Sequence, residues 1–376
     1  MRDRGTDGIS RRGFFAAAGS AAAAGILLGG ADFSRLVAQE AAGTLVIPKR
    51  IMGRTGLAVG VISGNEQMRE PALINAALEA GVNYWHKGGA YLADAVKNAG
   101  RENIYVEICL DPSGSVEKDM ENFKGRLGNG LEYADFYKIH IKYDERSVEA
   151  FGRLKDEGLV KYLSASFHNY DDAIRKIESG AVDQVQVSGS PTSGAKLAGL
   201  LEAAKKANVG VLLMKTMMGG EKGWANEDLK KAIAPYTETG LSTPQGIVAA
   251  CLAMDGVTTV TTSSKTIENF TAIAEAAAKT VGITPATVIP TTAAAFCRVC
   301  GACDGVCPNG VAVQDIMRAE MYALGYREET RARELYASLG EKRNALACGD
   351  CGACQKACPS KVASPQRIAA TGRLLA

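Results

Sequence analysis

Asp135-Phe136-Tyr137-Lys138-Ile139-His140 is a short run dominated by apolar and aromatic residues. A helical pattern follows at Ser147–Glu157, then a strand-like run at Lys161–Ser166, a second helix at Asp171–Ser179 and a third run at Asp183–Ser188. Strands that alternate with helices in this way form parallel pairs joined by crossovers. The pattern extends in both directions. Leu57–Ser63, Val82–His86 and Ile104–Leu110 precede it, and Val209–Lys215 and Val257–Thr262 follow. Helical stretches at Glu70–Ala80, Val116–Leu127, Ala195–Ala207 and Pro244–Met254 fill the gaps. The runs are nearly continuously apolar, as strands covered on both faces must be. Eight of them predict a (β/α)8 TIM barrel over residues 45–285. An open doubly wound sheet is the alternative, but no G-x-G-x-x-G follows the first strand.

The bulk numbers agree with a folded chain. It has 376 residues, 47% of them hydrophobic, and a formal net charge of +2. No basic stripe with interleaved aromatics marks a nucleic-acid footprint. Ten cysteines are present, eight of them beyond residue 296, while Cys109 and Cys251 stand alone in apolar runs. A secreted disulfide scaffold would be short and would spread its cysteines through the fold.

The eight form two identical motifs. Cys297, Cys300, Cys303 and Cys307 precede Pro308, and Cys348, Cys351, Cys354 and Cys358 precede Pro359. Each is the C-x2-C-x2-C-x3-C-P run of two-cluster ferredoxins, in which the fourth cysteine ligates the other cluster. Two [4Fe–4S] clusters are therefore expected. One takes Cys297, Cys300, Cys303 and Cys358, and the other takes Cys348, Cys351, Cys354 and Cys307. Gly301, Gly349 and Gly352 suit a close approach of the backbone to sulfur. Zinc needs only four ligands per site, and the doubled run exceeds that pattern twice over. Two amphipathic helices are predicted across residues 312–345, so residues 286–376 read as a small helical ferredoxin-type domain.

Residues 1–44 read as an address. Ser10-Arg11-Arg12-Gly13-Phe14-Phe15 leads into an apolar stretch rich in Ala and Gly, from Ala16 to Ala31. It resembles a twin-arginine signal, which implies export in the folded state to the periplasm or cell envelope. A buried N-terminal helix and an uncleaved anchor are the other readings. The stretch is too short and too weakly apolar for a membrane span.

A family resemblance joins these parts. Arg54-Thr55-Gly56-Leu57, Ala77-Leu78-Glu79-Ala80-Gly81-Val82-Asn83-Tyr84, Asp135–His140, Ser166-Phe167-His168, and Met214-Lys215 with Gly219-Gly220 resemble an aldo-keto reductase. The tail resembles the branch with a fused ferredoxin-type domain. The resemblance implies hydride transfer between NADP(H) and a carbonyl or alcohol, with a tetrad of Tyr, Asp, Lys and His. It puts the tyrosine at Tyr91 and the histidine at His140. His86 occupies the aspartate position and Cys109 or Leu110 the lysine position, so the charged pair is missing. It also implies a nicotinamide grip at Ser166 and Gln186, although Phe167 replaces the usual Asn. Lys265 is the remaining candidate for a cofactor phosphate, and NADP(H) binding is weakened by these losses. His168 and Cys251 read as structural groups.

The expectation is an exported iron–sulfur oxidoreductase whose barrel mouth exchanges electrons with the clusters, acting on a small molecule or a redox partner protein. The alternative is a non-catalytic electron carrier built on a pseudo-enzyme barrel.

Overall fold

The computed structural model describes residues 45–281, 297, 299–358 and 364–376. The twin-arginine segment and the expected domain boundary at 285 lie outside these residues. All described residues belong to one unit, Thr44–Ala376. Among them no helix is long and apolar enough to cross a membrane.

Strands β1 (Lys49–Ile51) and β2 (Ala58–Gly60) form an antiparallel hairpin. The barrel strands are β3 (Ile62–Ser63), β4 (Tyr84–Trp85), β5 (Tyr105–Leu110), β6 (Ala134–Ile139), β7 (Val160–Phe167), β8 (Gln184–Ser188), β9 (Gly210–Met214) and β10 (Thr259–Thr261). They pair in parallel in the order β3-β10-β9-β8-β7-β6-β5-β4. A single bridge between Gly64 and Trp85 closes the ring, with Gly64 N–H donating to Tyr84 at 2.9 Å and His86 N–H donating to Gly64 at 3.1 Å. A Cβ on Gly64 would lie 2.3 Å from the Trp85 ring, so only glycine lets the edges meet. The expected strand Leu57–Ser63 is thus divided. Its first half pairs with β1, and only Ile62–Ser63 enters the barrel.

Helices cover the outside, and the apolar shell between them and the sheet is the main core. Several start where a polar side chain accepts a free backbone N–H. Ser115, Asp144, Asn169, Asn226 and Thr266 do this. Such caps satisfy donors that the first helical turn leaves open. Inside the barrel Met52 and Val59 pack on Tyr84, Phe136 and Leu212, forming an apolar base.

The C-terminal part has its own core, where Val313, Ile316, Met317, Ala332, Tyr336 and Ile368 meet. Its helices are Val313–Glu320, Glu329–Ser338, Ala353–Ala357 and Ser364–Leu375, with a π-helical turn at Met321–Gly325. That turn rests on the loop after β9. A Cβ on Gly325 would lie 1.7 Å from the Gly219 carbonyl oxygen, and one on Gly220 would lie 2.2 Å from the Gly325 oxygen. Two bare backbones therefore touch. Ion pairs reinforce the contact: Lys222–Glu320 at 2.9 Å, Arg327–Glu221 at 2.5 Å and Lys265–Glu328 at 2.5 Å. The loops after β9 and β10 lie at the C-terminal ends of the strands, so the cysteine domain sits on the face where such barrels keep their chemistry.

Candidate active site and cysteine loops

Each of the three histidines follows a strand end directly: His86 after β4, His140 after β6 and His168 after β7. His86 is 6% exposed, and its Nε2 lies 2.7 Å from Thr261 Oγ1. Its Nδ1 has no hydrogen-bond partner among the described residues. Burial, with Lys138 and Lys87 nearby, holds it well below the usual imidazole range. His140 places Nδ1 at 2.6 Å from Asp111 Oδ1, which leaves Nε2 for chemistry at the mouth. Burial lowers its pKa, and Asp111 pulls the other way. His168 stands with Nε2 at 3.2 Å from Lys215 Nζ. Burial and then Lys215 push it down to about 3, so it is neutral at ordinary pH. It lies at the C-terminal end of β7 with its ring hydrogen-bonded, which suits the structural role expected from the sequence.

Tyr91 lies on a short 3-10 turn, Ala90–Leu92. Its hydroxyl donates to the Lys87 carbonyl oxygen at 3.4 Å, and Arg69 stacks 5.0 Å from its ring. Burial raises its pKa, and Arg69 offsets this only in part. A tyrosine in this state resists giving up its proton near neutral pH.

The sequence reading missed a polar layer beneath the mouth. Glu107 on β5 and Lys138 on β6 are both 0% exposed and form an ion pair. Lys138 also donates to Gln186 Oε1 at 2.6 Å. Tyr84 and Ser164 donate to Glu107 Oε2 at 2.8 and 2.7 Å. Strand alternation accounts for the layer, because Phe136, Lys138 and His140 share a face and rise from the base to the mouth. A carboxylate and a lysine are therefore present in the barrel, but on other strands than the resemblance implied, and they bond to each other. Cys109 pairs in register with Lys138, and burial pushes its thiol up to about 11. It is half-buried on its strand.

The expected cofactor grips are engaged elsewhere. Ser166 Oγ accepts from Ile141 N–H at 3.0 Å, bracing the turn after His140. Gln186 serves Lys138. Lys265, the expected phosphate contact, pairs its ammonium with Glu328 of the C-terminal part.

The two cysteine loops share one backbone design. Val299 and Gly301 have φ of 54° and 78°, and Asp350 and Gly352, at the same places in the second motif, have 50° and 70°. Left-handed residues at both positions turn successive N–H groups inward, as in an anion nest. Val299 N–H donates to Cys297 Sγ at 3.3 Å. A β-branched residue with positive φ is strained, and such strain persists where function needs the shape. Gly349 plays a different part from its neighbours: a Cβ there would lie 3.0 Å from Asn309 Nδ2.

The two motifs approach each other. Cys297 lies within electrostatic reach of Cys300 and Cys358, and Cys303 within reach of Cys297 and Cys300. Asn309 Nδ2 donates to the Ala347 carbonyl oxygen at 2.8 Å, tying the end of the first motif to the start of the second. Cysteines are the donors that [4Fe–4S] clusters take, and the eight of the two motifs would hold them. Among the described residues no three His, Cys, Asp or Glu side chains converge as a single metal ion requires. A cubane holds its thiolates farther apart than one ion does. Lys215 is the link to the barrel: Cys297 and Cys300 act on its ammonium, and Arg318 and Lys87 act on it from other sides. Burial and Arg318 bring its pKa down to about 8.

No family model matches the chain, and no curated protein matches it. Among solved structures it is similar to the aldo-keto reductase AKR11C1 from Bacillus halodurans (holo form), at 20% identity and a TM-score of 0.54. The match covers 64% of this chain and 92% of that one. At this identity the likeness is one of fold, and the barrel has the (β/α)8 fold of an aldo-keto reductase.

Proposed function

We propose that the chain is an exported iron–sulfur oxidoreductase, in which the barrel mouth holds a small molecule and the cysteine domain exchanges electrons with it. One observation supports the reading: Cys297 lines a common crevice with Met218 and Gly219 of the loop after β9, so the first cysteine motif borders the C-terminal end of the barrel. When bound, [4Fe–4S] clusters supply one-electron transfer, and the eight motif cysteines would hold them. The chain's own residues handle the proton. Asp111 orients His140, so that Nε2 gives or takes it. Tyr91 contributes little, because no lysine supports its ionisation. NADP(H) is not the expected donor, since Ser166, Gln186 and Lys265 are committed to other partners.

The buried state of Lys138 favours a second reading, a carrier without its own substrate chemistry. The two are separated by anaerobic purification with iron analysis, followed by titration with NADPH and with a chemical reductant while cluster absorbance is followed. About eight irons per chain are expected. The reductant should bleach them, whereas NADPH should not, and NADPH-dependent reduction of ordinary aldehydes should be weak. Colourless, iron-free protein would sink both readings.

A further inference from the structure

A buried carboxylate held by two cations stands beside the first cysteine loop, and the reading above gives it no chemical part. Glu320 ends the helix Val313–Glu320 and is 3% exposed. It accepts from Lys222 Nζ at 2.9 Å and from Arg367 Nε at 2.8 Å. Among the described residues neither cation has another ion pair, so two positive charges and one negative leave one positive charge in excess. Cys297 lines the same crevice as all three groups, and Met218, Met317 and Met321 supply the apolar part of its wall.

The crevice measures about 20 Å³, room for roughly one water. Where so little water enters, a charge in the wall is weakly screened and acts strongly on what shares that wall. The Cys297 thiol responds to it: burial raises its pKa, and the Arg367 charge pulls it down. One cation would balance the Glu320 carboxylate, and the second leaves the excess beside a thiolate loop. The cations also come from both parts of the chain. Arg367 lies on the last helix, Ser364–Leu375, whereas Lys222 lies on a short helical turn after β9, Glu221–Trp224.

We propose that Glu320, Lys222 and Arg367 tune the cluster of the Cys297 loop, their excess positive charge making it easier to reduce. The proposal rests on the oxidoreductase reading for the presence of that cluster. Uptake of one electron forms and breaks no bond. It lowers the cluster's charge by one, and a positive neighbour favours the more negative state. Because Lys222 belongs to the barrel, the barrel itself helps to set the potential of the cluster at its mouth. The rival is a clamp that only holds the two parts together.

The full chain, iron-loaded and prepared without oxygen, is titrated with dithionite in the presence of mediator dyes, and EPR follows each cluster. The first-motif signal is the one lost in Cys300→Ala. Arg367→Gln should make reduction of that cluster about tenfold less favourable, a fall of about 59 mV for one electron. Glu320→Gln should move it a similar amount the other way, and Arg367→Lys should stay near the parent. The second-motif cluster should keep its potential throughout. Other charges near the loop, Lys215 among them, are the same in every variant and drop out of the difference. Unchanged potentials, shifts of one sign in both Arg367→Gln and Glu320→Gln, or equal shifts in the two clusters would overturn the proposal. Should Arg367→Gln lose the first-motif cluster, Lys222→Gln decides: a fall is expected, and an unchanged potential overturns the proposal. Reducible clusters indifferent to these variants refute the tuning alone, whereas an iron-free parent protein refutes the oxidoreductase reading.

Discussion

Lys138 is the residue on which the barrel interior turns. Its ammonium and the Glu107 carboxylate are sealed from water, and among the described residues neither is given a second ion pair. Desolvating two ions costs several kcal/mol each, and their attraction repays it only while both are present. Lys138→Met should therefore lower stability by about 3–5 kcal/mol, measured by chemical denaturation. The double variant with Glu107→Leu should recover most of that loss. A single variant as stable as the parent would show that the pair is not buried. His140 was legible in the sequence because it ends a strand. Lys138, two residues earlier on the same face, was not, since a lysine inside an apolar run carries no sign of what it meets.

At the scale of elements, the cysteine loops are the most specific feature. Their spacing leads to the expectation of paired clusters, yet the equal left-handed turns at Val299 and Asp350 were hidden, because valine disfavours that backbone and aspartate only tolerates it. Val299→Gly should keep iron and gain about 1 kcal/mol in denaturation, by removing the steric cost of Cβ. Val299→Pro cannot reach positive φ and lacks the N–H that bonds Cys297 Sγ. It should lose the first-motif cluster by EPR and keep the other. Retention of both signals would contradict the nest geometry. The strands were legible for a plain reason: each parallel strand is buried on both faces, and its composition records that. The division of Leu57–Ser63 was not, because Gly60 and Gly64 do their work against backbone and ring atoms far along the chain.

For the whole molecule, the joint between barrel and cysteine domain depends on Glu320. This carboxylate is 3% exposed, bonds Lys222 from the loop after β9, and pairs with Arg367 from the last helix. With Gly219, Met317 and Cys297 these residues line a crevice of about 20 Å³, room for roughly one water. Glu320→Ala leaves two cations facing each other and should cost about 1–3 kcal/mol. Denaturation should then split into two transitions, with cluster absorbance lost before the helical signal of the barrel. One unchanged transition would show that the glycine contact suffices to hold the domains together.

The alternation of strand and helix and the doubled cysteine run were determined by the sequence alone, since both are local: one is a period and the other a spacing. Only the tertiary structure decided which charges meet. Lys138 found Glu107, Lys265 found Glu328, and Lys215 came to lie between His168 and the first cysteine loop. An ion pair depends on distance in space, and distance along the chain does not encode it.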